Sequence, residues 1–99
     1  MSSSLTQGVL VTIICESVLQ DRLIQLLKTL NTSGYTITQA RGAGGHGRRM
    51  GDIAGYNTNI EVKTIVALET SDQLLEELKQ FQATHALIAF RQNVEGLFD

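Results

Sequence analysis

Residues 41–59 have the sequence RGAGGHGRRMGDIAGYNTN and lie between two segments with the alternating pattern of β-strands. Six of the nine glycines in the chain fall within this stretch. Because glycine favours no single backbone conformation, the stretch nucleates neither a helix nor a strand. We therefore predict a loop over residues 42–58, which divides the chain into two halves of similar length.

The first half predicts a strand, a helix and a second strand. The β-branched run Val9–Ile14 is typical of a strand buried on both faces. Ser17–Gln20 has the spacing of a capping box, and Gly34 is placed to end the helix in a left-handed conformation. Alternation over Tyr35–Ala40 predicts the second strand. The apolar face of the helix consists of leucines: Leu19, Leu23, Leu26, Leu27 and Leu30.

The second half repeats this order. Alternation over Ile60–Leu68 predicts a strand, and Thr70–Gln73 has the spacing of a second capping box. The helix after it is predicted to end near Thr84, and Ala86–Phe90 forms a last short apolar strand. The predicted apolar side of the second helix contains Leu74, Leu75, Leu78 and Phe81. We expect residues 1–7 to be a frayed leader and residues 92–99 to be a polar tail.

This order predicts one α+β domain over residues 1–99, with the ferredoxin-like βαββαβ layout. In that layout a four-stranded antiparallel sheet carries both helices on one face. Val9–Ile14 and Ala86–Phe90 have apolar residues pointing to both faces. The face without helices would then expose an apolar patch of the kind that forms protein interfaces, so we predict an oligomer.

Composition and motif spacing exclude several classes of function. A net charge of −2, with no extended basic face outside the loop, disfavours nucleic-acid binding. The single cysteine fits a reducing cytoplasm, and the apolar run that ends at Cys15 is too short to cross a membrane. Cys15, His46 and His85 do not have the spacing of metal ligands. No arrangement of catalytic groups stands out, so we expect no enzymatic activity.

The predicted loop has the chemistry of an anion-binding segment. Its glycines allow backbone N–H groups to approach a ligand closely, and arginines donate bidentate hydrogen bonds to phosphate. The stretch of residues 41–59 carries the cationic residues Arg41, His46, Arg48 and Arg49. Gly42–Gly47 also matches the G-x-G-x-x-G pattern of dinucleotide-binding folds, but there a helix begins within the motif, whereas a strand follows here. The alternative without a binding function is a mobile connector, which the length of about seventeen residues disfavours.

Ordering the whole loop costs more free energy than one bound phosphate returns. Ordering the backbone of residues 42–58 costs on the order of 20 kcal/mol, and each hydrogen bond to a charged group returns about 1.5–3 kcal/mol. A phosphate can therefore order the base of the loop but not its tip, residues 50–56. We expect the tip to become ordered only on a protein partner, through the apolar side chains of Met50, Ile53 and Tyr56.

The segment Gly34–Gly44, the long loop and the strand after Asn59 together resemble the PII signalling family. The resemblance extends over residues 9–91, and it is greatest to the PII-like carbon-regulatory members associated with bicarbonate uptake. It implies a homotrimer, in which the loop is the family's T-loop and an adenine nucleotide binds at the cleft between subunits. It also implies a cytoplasmic protein that controls a membrane transporter, such as one for bicarbonate, or a metabolic enzyme.

The resemblance assigns candidate binding residues and narrows the nucleotide. The chain lacks the glycine- and lysine-containing B-loop of the nitrogen-regulatory members, and of their C-terminal arginine pair only Arg91 remains. This implies ADP, AMP or cyclic AMP rather than ATP. The implied nucleotide-binding residues are Thr36, Arg41, Gly42, Gly44, Gly45, His46, Arg49 and Arg91. Two other families of this layout stay open as alternatives: trimeric divalent-cation-tolerance proteins and ACT-like small-molecule-binding modules.

Overall fold

Strand β1 (Thr6–Glu16) is an inner strand of a four-stranded sheet in the computed structural model, which describes residues 4–41 and 58–98. The sheet order is β2-β3-β1-β4, and all neighbouring strands are antiparallel. With two helices it forms the predicted ferredoxin-like βαββαβ layout. The other elements are α1 (Gln20–Thr29), β2 (Thr36–Ala40), β3 (Asn59–Val66), α2 (Leu68–Gln82) and β4 (Leu87–Gly96).

The hydrophobic core lies between one face of the sheet and the two helices. Alternate residues of β1, from Val9 to Cys15, point to this face and are buried. Leu23 and Leu27 of α1 are fully buried against it, as the leucine spacing predicts. From α2 and the neighbouring strands come Leu74, Leu78, Phe81, Ile60, Val62, Val66 and Leu87.

The opposite face of the sheet carries no helix in the described part of the chain and is partly apolar. The register places Ile14 beside Ile88, and Leu10 beside Ile65, on this face. Ile88 and Phe90 of β4 are each 46% exposed. We call this surface the open face. It is the partly apolar surface that the sequence predicts on the face without helices.

Two strands are longer than predicted because their pairing continues past the apolar residues. β1 begins at Thr6, so the last two residues of the predicted leader lie in the sheet. β4 continues to Gly96, which pairs with Thr6, so most of the predicted polar tail is strand. Polar side chains are tolerated there because β4 is an edge strand, where side chains reach solvent. In contrast, β3 ends at Val66, and Leu68 begins α2 with its side chain exposed.

Neither predicted capping box is formed. Ser17 lies in a 3₁₀ turn over Ser17–Leu19, and the N-cap residue of α1 is Leu19. Helix α2 begins at Leu68, two residues before the predicted cap, so Ser71 lies inside its first turn. The Ser71 hydroxyl donates to the Leu68 carbonyl (2.7 Å) instead of capping an N–H group. In the first case the 3₁₀ turn takes up the predicted capping residues, and in the second the helix begins before them.

The C-terminus of α1 is ended by Asn31 rather than by Gly34. Asn31 has a φ of 59°, the left-handed conformation that asparagine tolerates better than most residues. Its N–H donates to the Lys28 carbonyl (3.1 Å), and the Thr32 N–H donates to the Leu27 carbonyl (3.1 Å). These two bonds are those of a Schellman motif, which satisfies the last carbonyls of a helix.

We predict that Asn31→Ala lowers the free energy of unfolding by about 1–2 kcal/mol, because the Cβ atom of alanine lies too close to the following carbonyl oxygen in a left-handed backbone. Asn31→Gly is the matched control and should be as stable as the original chain or more stable. Urea denaturation of the three proteins measures the difference. Equal stability of the alanine and glycine variants would contradict a left-handed residue 31.

Candidate functional site

The structure separates the predicted nucleotide-binding residues that it describes, namely Thr36, Arg41 and Arg91. Thr36 begins β2, whereas Arg41 follows its last residue. At about 3.3 Å per residue the two lie roughly 16 Å apart. The backbones of these two residues are therefore held at opposite ends of one strand. Gly42, Gly44, Gly45, His46 and Arg49, and the predicted partner residues Met50, Ile53 and Tyr56, lie outside the described residues.

Thr36 lines a cavity of about 490 Å³ on the open face, a volume typical of small-molecule sites. The segment leading into β2 forms one side of this cavity. The Thr64 hydroxyl holds that segment by donating to the Gly34 carbonyl (2.6 Å). The walls combine polar residues (Ser33, Thr36, Lys63 and Thr64) with apolar and aromatic ones (Leu10, Tyr35, Ile65 and Phe98).

Lys63 supplies a positive charge to this cavity. It pairs with Thr36 across β2 and β3, which puts the ammonium group and the hydroxyl on the same face of the sheet. Its only ion-pair partner among the described residues is Glu61, at the long distance of 3.9 Å. An exposed pair of this kind contributes little stability, so the ammonium group is available to an anionic ligand.

The two ends of the loop lie at the opposite end of the sheet, and we call the described residues there, Arg41 and Thr58, the loop root. Ala40, directly before Arg41, pairs with Asn59. The Ser17 N–H donates to the carbonyl of Thr58 (3.1 Å), which is the last residue of the predicted loop. Arg41 thus directly follows a residue that is held in the sheet, so an anion bound at Arg41 would lie next to this anchored end of the loop.

Two buried polar side chains lie beside this root. Glu16 is 2% exposed, and its Oε2 accepts a hydrogen bond from the Ala86 N–H (3.1 Å). Its cross-strand neighbour Asn59 is also buried. Within residues 4–41 and 58–98, neither Glu16 Oε1 nor Asn59 Oδ1 has a hydrogen-bond partner. A buried acceptor without a partner is costly, so a hydrogen-bond donor at this end of the sheet would stabilise these two oxygens.

The thiol of Cys15 lies next to Glu16 and is kept protonated. Burial in the core raises the pKa of Cys15 to about 11, and the negative charge of Glu16 adds to the shift. A thiol with such a pKa is a poor nucleophile at neutral pH. Cys15 is therefore a packed core residue, as its sequence position indicates.

Arg91 lies on the helix-covered side of the sheet, unlike Thr36 and Lys63. It is the β4 partner of Val11, and its guanidinium donates to Ser71 Oγ (2.8 Å) and to Asp72 Oδ1 (2.5 Å). These bonds tie β4 to the first turn of α2. Within one protomer Arg91 is not brought together with Thr36, and its predicted contact with a nucleotide stays a prediction.

Metal ligands and membrane spans are the other features that bear on function. Across the described ranges, no group of three or more His, Cys, Asp or Glu side chains is placed to hold a metal ion. None of the helices in these ranges is long and apolar enough to span a membrane.

Comparison with known proteins identifies the family. The profile of the family described as nitrogen regulatory protein P-II matches residues 9–96. The chain belongs to the P-II family. A comparison with curated proteins gave no match.

Solved structures agree with this membership. The crystal structure of a PII-like signalling protein from Thermus thermophilus is 37% identical in sequence, with a TM-score of 0.79. The match covers 94% of this chain and 92% of that one. The PII-like protein CPII from Thiomonas intermedia, solved with ADP and bicarbonate, is 26% identical in sequence, with a TM-score of 0.78. That match covers 92% of this chain and 89% of the CPII chain.

A further CPII structure, solved with ADP, AMP and bicarbonate, supports the fold. It matches with a TM-score of 0.80 at 24% identity, over 96% of this chain and 98% of that one. The P-II resemblance of the sequence and its ferredoxin-like fold are thus confirmed. The chain has the regulatory fold of a P-II family member.

Sequence reasoning missed four residues that the structure places at the two ends of β2. Lys63 and Phe98 line the cavity, whereas Glu16 and Asn59 lie at the loop root. A carboxylate directly after a buried strand was a usable signal for Glu16, because charged residues are rarely buried without a role. Lys63 gave no such signal, since its closeness to Thr36 depends on the register of β2 and β3.

We predict that the stability of the chain falls as the pH rises from about 9 towards 11, in part through Cys15. The folded pKa of about 11 exceeds the ordinary value of 9.0, so the unfolded thiol loses its proton first. The contribution is complete below pH 9 and is lost as the pH approaches 11.

The Cys15→Ala variant isolates this effect from the titration of other groups. Its free energy of unfolding, followed by urea denaturation from pH 8 to pH 11, should fall less steeply than that of the original chain. The total decrease over this interval should differ between the two proteins by roughly 2 kcal/mol. Parallel curves for the two proteins would show that Cys15 does not titrate with a raised pKa.

Proposed function

We propose that the protein is a cytoplasmic signal-transduction protein that works as a homotrimer and catalyses no reaction. An adenine nucleotide binds at the cleft between protomers, with ADP, AMP and cyclic AMP preferred over ATP. The bound nucleotide acts on the loop of residues 42–58. The tip of this loop then contacts a membrane transporter, such as one for bicarbonate, or a metabolic enzyme.

The observation that carries the proposal is the cavity beside Thr36 and Lys63, together with its distance from Arg41. The cavity offers a cationic group, hydroxyl groups and apolar walls, which suit the phosphate, sugar and base of a nucleotide. Arg41 and the loop root lie at the other end of the same strand. We therefore place the ligand between the cavity of one protomer and the loop root of its neighbour.

The open face supports the assembly that this site requires. A single protomer leaves Ile88 and Phe90 partly exposed on a surface that also contains Leu10 and Ile14. Burial of such apolar area is the main driving force of stable protein association. Packing of three open faces around one axis buries this surface and brings the cavity of each protomer towards the next one.

The relatives support the class of ligand. The CPII protein that is 26% identical was solved with ADP and bicarbonate. Its likeness covers 92% of this chain. We carry the adenine nucleotide from that protein to this one as a proposal, and bicarbonate as a second effector to be tested beside it.

The loop root is suited to turning a bound anion into a signal. Its two ends are fixed by the pairing of Ala40 with Asn59 and by the hydrogen bond between Ser17 and Thr58. A phosphate at the root adds hydrogen bonds directly to this anchored backbone, each of which stabilises by about 1.5–3 kcal/mol. That gain is sufficient to select one conformation of the root, while the tip responds to the partner.

We predict that Lys63→Ala weakens ADP binding by roughly tenfold to a hundredfold, because it removes a charged donor from the phosphate. Isothermal titration calorimetry with ADP, AMP, cyclic AMP and ATP measures the effect, and native mass spectrometry gives the number of protomers. Lys79→Ala is the matched control, because Lys79 is exposed on α2 and pairs with Glu76 in the same helix. Unchanged ADP affinity in Lys63→Ala, or a monomeric original chain, would contradict the proposal.

A further inference from the structure

The ring of Phe98 lies on the open face in a place that two glycines leave free. A Cβ atom added to Gly8 would lie 3.0 Å from Phe98 Cε1, and one added to Gly96 would lie 3.3 Å from Phe98 Cε2. Gly8 is within β1 and Gly96 ends β4, so the ring sits across two paired strands. Any larger side chain at Gly8 would displace the ring or the Ile65 side chain.

The absence of a side chain at Gly8 has a cost for the sheet. Glycine within a strand lowers its stability and is typically found where another group approaches the backbone closely. Here the group that approaches is the aromatic ring of Phe98. The ring of Phe98 therefore packs against Gly8, Gly96 and Ile65. These contacts hold the ring in one position although Phe98 follows the last strand.

Phe98 forms a wall of two neighbouring cavities. One is the cavity of about 490 Å³ beside Thr36, and the other has a volume of about 340 Å³. The two also share Ser33 and Ile65. Phe98 is only partly buried, so the ring is in contact with the sheet and with the space of the cavities. An aromatic ring held in this way is a surface on which a planar ligand can stack.

We propose that Phe98 is the residue on which the base of the bound nucleotide stacks, and that it gives the site its preference for ligands that carry a base. This rests on the proposed function, because it concerns the same nucleotide. Phe98 lines the same cavity as Thr36 and Lys63, so a base that stacks on Phe98 lies in the cavity that these two polar side chains share. Stacking on an aromatic side chain is tolerant of base identity, so Phe98 selects a base without choosing among bases.

The test compares a ligand that has the base with one that lacks it. AMP and ribose 5-phosphate carry the same sugar and phosphate, so only AMP can stack on Phe98. We expect Phe98→Ala to lower AMP affinity by roughly tenfold to a hundredfold and to leave ribose 5-phosphate affinity unchanged. Isothermal titration calorimetry measures AMP directly, and competition against AMP measures the weaker ligand.

Two further variants separate stacking from general damage to the chain end. Leu97→Ala is the matched control, because Leu97 is adjacent but 87% exposed, and it should bind both ligands normally. Phe98→Tyr keeps the ring and should retain AMP affinity. Thermal unfolding of each variant checks that the sheet is intact.

The outcomes distinguish this inference from the proposed function. Equal or tighter AMP binding by Phe98→Ala would overturn the stacking role, and so would a loss of the same size for both ligands. If the original chain binds neither AMP nor ADP, the proposed function itself fails and the stacking role fails with it. A loss confined to AMP, restored by Phe98→Tyr, supports the inference.

Discussion

The position of β1 between β3 and β4 is the constraint on which the rest of the structure depends. Every residue of an inner strand faces one of two surfaces, and the helices cover only one of them. Val11 and Ile13 complete the core under the helices, while Leu10 and Ile14 belong to the open face. Within the described residues the helices leave the second surface uncovered, and in our proposal the other protomers of an oligomer cover it.

The same arrangement separates the functional groups along the sheet. Because β2 runs from one end of the sheet to the other, Thr36 and Arg41 are kept apart by the strand that joins them. One end offers a cavity with a cationic side chain, and the other offers the anchored root of the loop. In our proposal neither end is a complete site. Nucleotide binding then depends on assembly of the protomers as well as on the nucleotide concentration.

The sequence predicted the fold well where burial repeats with a clear period. The alternation of Ile60, Val62, Thr64 and Val66 and the leucine spacing of α1 are both confirmed by the buried residues. Prediction failed where a contact distant in sequence decides the structure. β4 continues through polar residues because β1 pairs with it, and no local pattern reveals that pairing. Asn31 ends α1 although Gly34 has the better intrinsic preference, and the hydrogen bonds of Asn31 and Thr32 to the last turn of the helix show where it ends.

The candidate site was predictable only in part, for the same reason. Arg41 was identified from the cationic residues beside the loop and Thr36 from the family resemblance, but their separation follows from the length of β2. Lys63 enters the cavity through its register with Thr36, and Phe98 enters it through the space above Gly8. Each of these contacts joins residues far apart in the chain, which a pattern of composition and spacing does not contain.

The central claim, that each nucleotide site is completed by two protomers, is tested most directly by mixing two inactive variants. Lys63→Ala lacks the cavity charge and Arg41→Ala lacks the root charge, so a trimer of either variant contains only damaged clefts. Subunits of both are unfolded together and refolded as mixed trimers, and ADP binding is measured by calorimetry. The account predicts that a fraction of the clefts regains the original affinity, because some combine an intact Lys63 from one subunit with an intact Arg41 from the other. If both variants are impaired alone and mixing restores no high-affinity site, each site lies within a single protomer and the account is contradicted.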